Sequence, residues 1–369
     1  MSFRILGPEG SDGAQWQALY DRLPPDLRDL HYLPGYGLVY RDTYGHEPFL
    51  AFLEEDDGYV MQAFVRRSLD ALPFLAEAGE PVHYHDVATP YGFGGPLPSD
   101  PGVADLPERL RRFDRALVAH FRATGIPAEF TCLHPLLGNH RWVESAAVGP
   151  VAAEKSVVVV DLRRPEEAIW RAVARGTRSS INHARRSGVV VERVEPGEIE
   201  LAAFQALYVE TMRRRDAAAR WFFPESYFPA CLRRLGPERS ALFFARCEGE
   251  LAAAYLLLND EQTAYYHFGA SSAAWLERRP NNLLMYETIL WAKARGLTRY
   301  HLGGGVTAAG DDSLLRFKSS FGGDRAVLYT YGRVHDDGIY ARLCELKLAH
   351  ERRIHGAPLD RDYFPLYRR

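Results

Sequence analysis

A lysine, three glycines and a pair of aspartates carry the densest chemistry in the chain. The segment HLGGGVTAAGDDSLLRFKSSFGG, His301 to Gly323, places Gly303, Gly304 and Gly305 directly after a run of strand-forming residues. Three positions without side chains let a ligand or another backbone come close, at the strand end where α/β proteins place their sites. The loop contains neither GxxxxGK[ST] nor GxGxxG, which argues against nucleotide hydrolysis and dinucleotide binding. Asp311 or Asp312 can cap a helix that starts near Ser313. On that helix Lys318 is flanked by Phe317 and Phe321, which would order its ammonium and let it stabilise a developing oxyanion.

Three further clusters stand out. RAVARGTRSSINHARRSG, Arg171 to Gly188, reads as a basic helix with Arg175, Arg178, Arg185 and Arg186 and no acid. Like charges at i,i+3 and i,i+4 weaken a helix, so such a face suits a phosphate partner, because arginine binds phosphate oxygens bidentately. A solvated basic helix is the alternative. LYVETMRRRDAAARWFFPESYF, Leu207 to Phe228, sets Arg213, Arg214, Arg215 and Arg220 beside Trp221, Phe222, Phe223 and Tyr227. That composition fits a cleft for an anionic, partly planar ligand. It equally fits an amphipathic helix followed by an aromatic plug. In the strand TAYYHFGASS, Tyr265, His267 and Gly269 alternate onto one face. His267 there is a base, a ligand contact or a satisfied structural histidine.

The elements that must position these groups repeat. PFLAFLEEDDGYVMQAFVRR, turning at Asp57-Gly58, and ALFFARCEGELAAAYLLLND, turning at Glu248-Gly249, both read as hairpins. Each precedes a helix closed by a glycine (Gly125, Gly296) and then a strand, IPAEFTCL or LTRYHLGGG. This order predicts a duplicated α/β architecture of α+β character, with domains over 1–150 and 151–335. The boundary falls near Gly149-Pro150, and SVVVVDL opens the second domain. The tail 336–369 holds a helix, IYARLCELKLAHERR, expected to fold back on the first domain.

The 369 residues suit two domains, and a net charge of -3 makes no bulk demand for nucleic acid. Four scattered cysteines without CxxC read as reduced thiols and give no metal site. The N-terminus lacks signal-peptide regions and no apolar run approaches the roughly 18 residues of a membrane span, so a cytoplasmic protein is expected.

Taken in order, TMRRRDAA, WFFPESYF, AYYHFGAS, PNNLLMYETILWAKARG, LGGG and FKSSFGG resemble the FemABX-like family, the peptidoglycan interpeptide-bridge transferases and their GNAT relatives. DLHYLPGYG and TPYGFGGPLP are similar to that family's N-terminal landmarks, so the resemblance spans nearly the whole chain. It implies two tandem GNAT-like domains, each a mixed, mostly antiparallel sheet flanked by helices. It implies transfer of an amino acid from aminoacyl-tRNA, as co-substrate without a further cofactor, to an amine of a peptidoglycan precursor or a small molecule. Transient contact with a membrane surface would follow if that precursor is lipid-linked.

Carried over by motif, Lys318 corresponds to the lysine near the reacting ester, with Asp100, Asp86 and His267 as candidate bases. Arg214 or its neighbour Arg215 corresponds to a phosphate contact of the acceptor. Tyr227, Tyr265, Asn281, Gly303 to Gly305 and Phe321 complete the implied substrate site. Arg175, Arg178, Arg185 and Arg186 fall in the region expected near tRNA. Departures are visible too. Asp100 aligns with the family's acidic position only with slippage, the helical arm of some members is missing, and RRPNNLL stands where acetyl-CoA enzymes carry [QR]xxGx[GA]. Acyl-CoA-dependent N-acylation of a sugar or small amine is the alternative, and a non-catalytic binding module the second.

Overall fold

A computed structural model describes residues 2–79, 83–306, 312–355 and 363–369. The chain begins with β1 (Ser2–Leu6), α1 (Gly10–Asp21), α2 (Pro34–Tyr44), β2 (Glu47–Glu55), β3 (Gly58–Ser68) and α3 (Pro73–Ala78). It continues through β4 (His85–Ala88), β5 (Leu97–Pro98), α4 (Leu106–Ala123), β6 (Ala128–Cys132) and α5 (His140–Ala146). Next come β7 (Ala152–Asp161), α6 (Glu166–Ala172), α7 (Arg175–Arg186), β8 (Val190–Val194), α8 (Glu198–Arg214) and α9 (Tyr227–Leu235). The strands β9 (Ser240–Cys247), β10 (Glu250–Asn259) and β11 (Thr263–Ser271) precede α10 (Pro280–Ala294), β12 (Arg299–Gly304) and α11 (Ser313–Ser319). β13 (Asp324–Val334) and α12 (Asp337–His355) end the succession.

Two compact units result. Unit 1 comprises Met1–Leu27, His31–Glu154 and Leu328–Arg369, and unit 2 comprises Arg28–Leu30 and Lys155–Val327. Unit 1 has the strand order β1-β2-β3-β4-β6-β13, with β5 also on β3. Among the described strands β4 and β6 form the parallel pair there, and α4 lies in the connection between them. Unit 2 has the order β7-β12-β11-β10-β9-β8. Its β11 and β12 are likewise parallel, with α10 between them in the chain. Both units are therefore mixed, mostly antiparallel sheets with one parallel step bridged by a helix.

Local chemistry explains the elements. The β9–β10 hairpin closes with Cys247 opposite Glu250, and Glu248 (φ 52°) and Gly249 (φ 85°) both take the positive φ of a type I′ turn. Gly125 and Gly296 follow α4 and α10 at φ 68° and 82°, as helix-ending glycines do. In unit 1, α4 presents Leu106, Leu110, Phe113, Leu117 and Phe121 to the sheet at three- and four-residue spacing, all buried. In unit 2, α7 and α10 cover one face through Ile181, Ala184, Leu284 and Ile289. α8 and α9 cover the other, where Phe204, Tyr208, Tyr227, Phe228 and Phe268 make edge-to-face contacts.

Two sequence expectations are corrected. The basic segment is two helices, because Val173 (ψ 132°) and Ala174 (ψ 143°) are extended and separate α6 from α7. The alternation of Tyr265, His267 and Gly269 fails at a bulge: Leu257 pairs with Tyr266 and Leu256 with Phe268, leaving His267 as the extra residue. Gly269 thereby joins the opposite face, where a Cβ would lie 1.9 Å from the Tyr266 hydroxyl.

The C-terminal residues belong to unit 1, where Leu343, Cys344, Leu366 and Tyr367 share a core with Phe74 and Leu75. Their polar anchor is Asp86, fully buried, which accepts paired hydrogen bonds from Arg67 (both 2.9 Å) and Arg368 (2.9 and 3.0 Å). Burial alone would raise the Asp86 carboxyl, but the two guanidinium groups outweigh it and hold it below its ordinary range. Asp86→Ala strands two arginines and should lower the unfolding free energy by about 3 kcal/mol, read as a lower urea midpoint. Because the folded carboxyl is depressed, its contribution is complete above the unfolded value of about 3.9 and fades as pH falls through the folded one. The Asp86→Ala penalty should accordingly shrink at low pH.

Candidate active site

The parallel step of unit 2 opens. β11 and β12 pair only at Thr263–Arg299, Ala264–Tyr300 and Tyr265–His301, although β11 runs on to Ser271 and β12 to Gly304. The bulge at His267 lies just past the last pair, and a second register shift lies between His301 and Gly303 on the β12–β7 side. Two bulges at one level bend the strands, and the β11–β12 ladder ends there. The corresponding step of unit 1 stays closed. There the Thr89 amide donates to Phe130 O (3.1 Å), the Gly94 amide donates to Cys132 O (2.8 Å), and buried Asn139 donates to Gly94 O (2.7 Å). Unit 2 thus carries the open strand end.

Lys318 projects from α11 to the end of β12. Its Nζ donates to Gly304 O (2.8 Å) and lies 5.1 Å from the Tyr266 ring centroid, while only 5% of the residue is exposed. Burial, then the charge of Lys155, push this amine down to about 7, with Asp312 opposing. The glycines are required by this arrangement. Gly303 has φ 77°, and a Cβ there would lie 3.0 Å from Lys318 Nζ. A Cβ on Gly305 would lie 2.5 Å from the Asp312 carboxyl carbon. Asp312 fixes the loop to the helix: one carboxylate oxygen accepts from the Leu314 and Leu315 amides (2.9 Å each), the other from the Val306 amide (2.8 Å). Asp311, the other capping candidate, lies outside the described residues.

On the opposite face of β11, His267 Nε2 is 2.8 Å from the Tyr227 hydroxyl. Tyr227, the first residue of α9, has a fully buried side chain, so it offers no surface for the direct substrate contact expected of it. Tyr265 is also buried, donating its hydroxyl to Asp29. Burial and the neighbouring Asp29 charge hold the Asp260 carboxyl well above its ordinary value, so this trio is an interior polar knot and not a substrate surface. Phe321 is fully buried against Phe317, 5.3 Å between ring centroids, and is core; the aromatic beside Lys318 is Tyr266. Asn281 is half-buried in the first turn of α10, where its carbonyl accepts from the Tyr255 hydroxyl.

The arginines divide sharply. Arg178 spends Nη1 on the carbonyls of Arg171 (2.9 Å) and Val173 (2.5 Å), closing the end of α6. Arg185 pairs with Glu287 of α10 (2.8 Å) and lies over Tyr286. Neither is a free phosphate ligand, and the acid that neutralises Arg185 comes from another helix. Arg175 and Arg186 are exposed and have no partner among the described residues. Arg214 bridges Glu210 (3.2 Å) and the Ser271 hydroxyl (3.1 Å) at the end of β11, and Arg215 is exposed at the end of α8. Asp100 in unit 1 is exposed and accepts from the Gly102 amide (2.8 Å) in a tight turn. Asp86 is held ionised by two arginines and is no base. Sequence reasoning missed Tyr266 and Lys155. Tyr266 is hidden beside Tyr265 until the bulge assigns faces, and Lys155 gains meaning only because β7 pairs with β12.

Gly303→Ala would add about 1–2 kcal/mol of left-handed strain and displace the Lys318 amine. A lowered denaturation midpoint is the expected result, with the Lys318 13Cε signal shifted by the displaced amine.

Residues 171–319 match the family model described as an acetyltransferase (GNAT) domain. No curated protein matches the chain. Among solved structures the fold is similar to that of FemX, at 16% identity over 93% of this chain and 99% of that one, TM-score 0.68. It is also similar to L-PGS from Bacillus licheniformis, at 13% identity over 88% and 92%, TM-score 0.52. A tandem GNAT protein from the clavulanic acid biosynthesis pathway, solved without AcCoA, gives 12% identity over 90% and 99%, TM-score 0.50. The LGGG strand end and Lys318 both lie inside the segment that matches the acetyltransferase (GNAT) domain, and the fold of the chain is similar to that of FemX.

Proposed function

We propose that the chain moves an aminoacyl group from an aminoacyl-tRNA ester to an amine of a cell-wall precursor or small molecule. The observation that carries this reading is Lys318, a buried amine held by Gly304 O where β11 and β12 part. An acyl ester is already activated. The protein therefore needs to align amine and ester, a contribution of several kcal/mol, and to stabilise the tetrahedral oxyanion. In unit 2 the amine nitrogen would bond to the ester carbon as the carbon–oxygen ester bond breaks. Backbone amides of the Gly303–Gly305 loop and the Lys318 amine supply donors for the oxyanion. His267, fixed by Tyr227, is the other group able to take a proton, and Asp100 would have to leave its turn to do so.

A coenzyme A donor is less well provided for. The first residue of α10 is Pro280, which has no amide hydrogen to offer a pyrophosphate, and the preceding Arg279 is at φ 57°. The exposed Arg175 and Arg186 suit a phosphodiester backbone. For a lipid-linked acceptor the chain would meet the membrane only at its surface, since no described helix is long and apolar enough to cross it.

Donor dependence tests this reading. Incubation with charged total tRNA should give a product carrying an amino-acid mass increment that RNase abolishes. An acetyl increment from acetyl-CoA, indifferent to RNase, would transfer the protein to the CoA-dependent class. Lys318→Ala should slow transfer about 10²-fold or more with little change in donor affinity; an unchanged rate would remove Lys318 from the chemistry, and binding without transfer by the wild type would favour a binding module. Replacing Arg175 and Arg186 together by alanine should weaken tRNA binding and flatten its salt dependence, as measured by filter binding across a salt series.

A further inference from the structure

Of the 45 basic residues in this chain only four are lysines, at positions 155, 293, 318 and 347. Arginine stays protonated in proteins, whereas lysine can release its proton when its surroundings disfavour the charge. Two of the four have ordinary structural work: Lys293 donates to Leu162 O (2.8 Å), and Lys347 pairs with Glu351. The remaining two meet at the glycine loop. Lys155 sits on β7 two residues before Val157, the partner of Gly304, and its stem lies along that glycine. A Cβ on Gly304 would be 3.4 and 3.6 Å from Lys155 Cδ and Cε. The Lys155 ammonium has no acceptor among the described residues. The groups facing Lys318 are thus Lys155 from β7, Asp312 before α11, the Tyr266 ring from β11 and the Gly304 carbonyl of β12.

We propose, on the basis of the acyl-transfer reading above, that Lys318 carries the transferred proton and that Lys155 is the positioning residue that keeps its amine able to accept it. The neutral Lys318 amine takes the proton from the attacking nitrogen as the new nitrogen–carbon bond forms. The resulting ammonium, still tied to Gly304 O, returns that proton to the leaving ester oxygen as the carbon–oxygen bond breaks. No other acid or base is consumed, and Lys318 ends as it began. Lys155 acts by repulsion: a fixed cation beside Lys318 opposes its protonation, and Asp312 limits how far. Burial, the larger influence, would still act without the Lys155 charge, but the protonated fraction of Lys318 at neutral pH would rise and its capacity as a base would fall.

The test uses the full chain labelled with 13Cε-lysine, which gives only four side-chain signals, alongside kcat/KM against pH. In the wild type the signal lost in Lys318→Ala should titrate near 7, and the acid limb of kcat/KM should follow the same midpoint. Lys155→Met should move both midpoints upward and lower the rate at pH 7, with recovery toward the wild-type rate at pH 9. Lys155→Arg, which keeps the charge, should leave both in place. A Lys318 signal that titrates in the ordinary lysine range overturns the proposal, as does an acid limb that stays fixed in Lys155→Met. Absence of transfer with either donor overturns the acyl-transfer reading, and the proton role with it, whatever the lysine titration shows. A midpoint failure with transfer intact overturns the lysine pair alone.

Discussion

An ammonium group taken out of water loses several kcal/mol of hydration, and a protein must return that loss through hydrogen bonds or give up the charge. Lys318 meets this constraint at the end of β12, and the surrounding structure follows from it. The Gly304 carbonyl gives one strong acceptor and the Tyr266 ring a weak one, while a second lysine nearby withholds full compensation. An amine held this way is poised between its two protonation states. Each neighbour is in turn constrained: Gly303 must be left-handed and bare to admit the amine, Gly305 must be bare to admit Asp312, and Gly269 must be bare to admit the Tyr266 hydroxyl.

The two units show how one arrangement is used twice with different outcomes. Both contain a hairpin, a third strand and a parallel partner reached through a helix. In unit 1 the parallel pair is stitched shut beyond the third strand by Thr89, Gly94 and Asn139. In unit 2 both strands carry bulges, the β11–β12 ladder stops after Tyr265–His301, and Lys318 is held at the end of β12. A β-bulge costs one ladder interaction, and here that loss falls where a substrate backbone or carbonyl could replace it.

Arginine chemistry shows how tertiary contacts change the meaning of a charge run. Within α7 four arginines look alike by spacing, yet only Arg175 and Arg186 stay open to a ligand. Arg178 satisfies the orphan carbonyls at the end of α6, which would otherwise be unpaired. Arg185 finds Glu287, more than a hundred residues later in the chain. In unit 1 the same logic buries Asp86 between Arg67 and Arg368 and removes a carboxylate that sequence alone left among the candidate bases.

What the sequence determined by itself is the set of local elements and their order. Glu248-Gly249, Gly125, Gly296 and Asp312 do their work within a few residues, so hairpin, helix ends and cap were legible from residue type. The glycine loop and Lys318 were legible because a run of three glycines has few purposes other than close approach. Tertiary structure alone decided which side chains reach that loop. One extra residue at His267 reverses the facing of everything after it, sending Gly269 under Tyr266 and burying Phe268 on the other side. Phe321 and Tyr265 resembled site residues but became core because helices α10 and α11 and the Asp29 segment close over them. Lys155 became part of the site through a strand pairing with a partner some 150 residues distant. Side-chain facing and long-range pairing depend on the whole sheet, and no local pattern contains them.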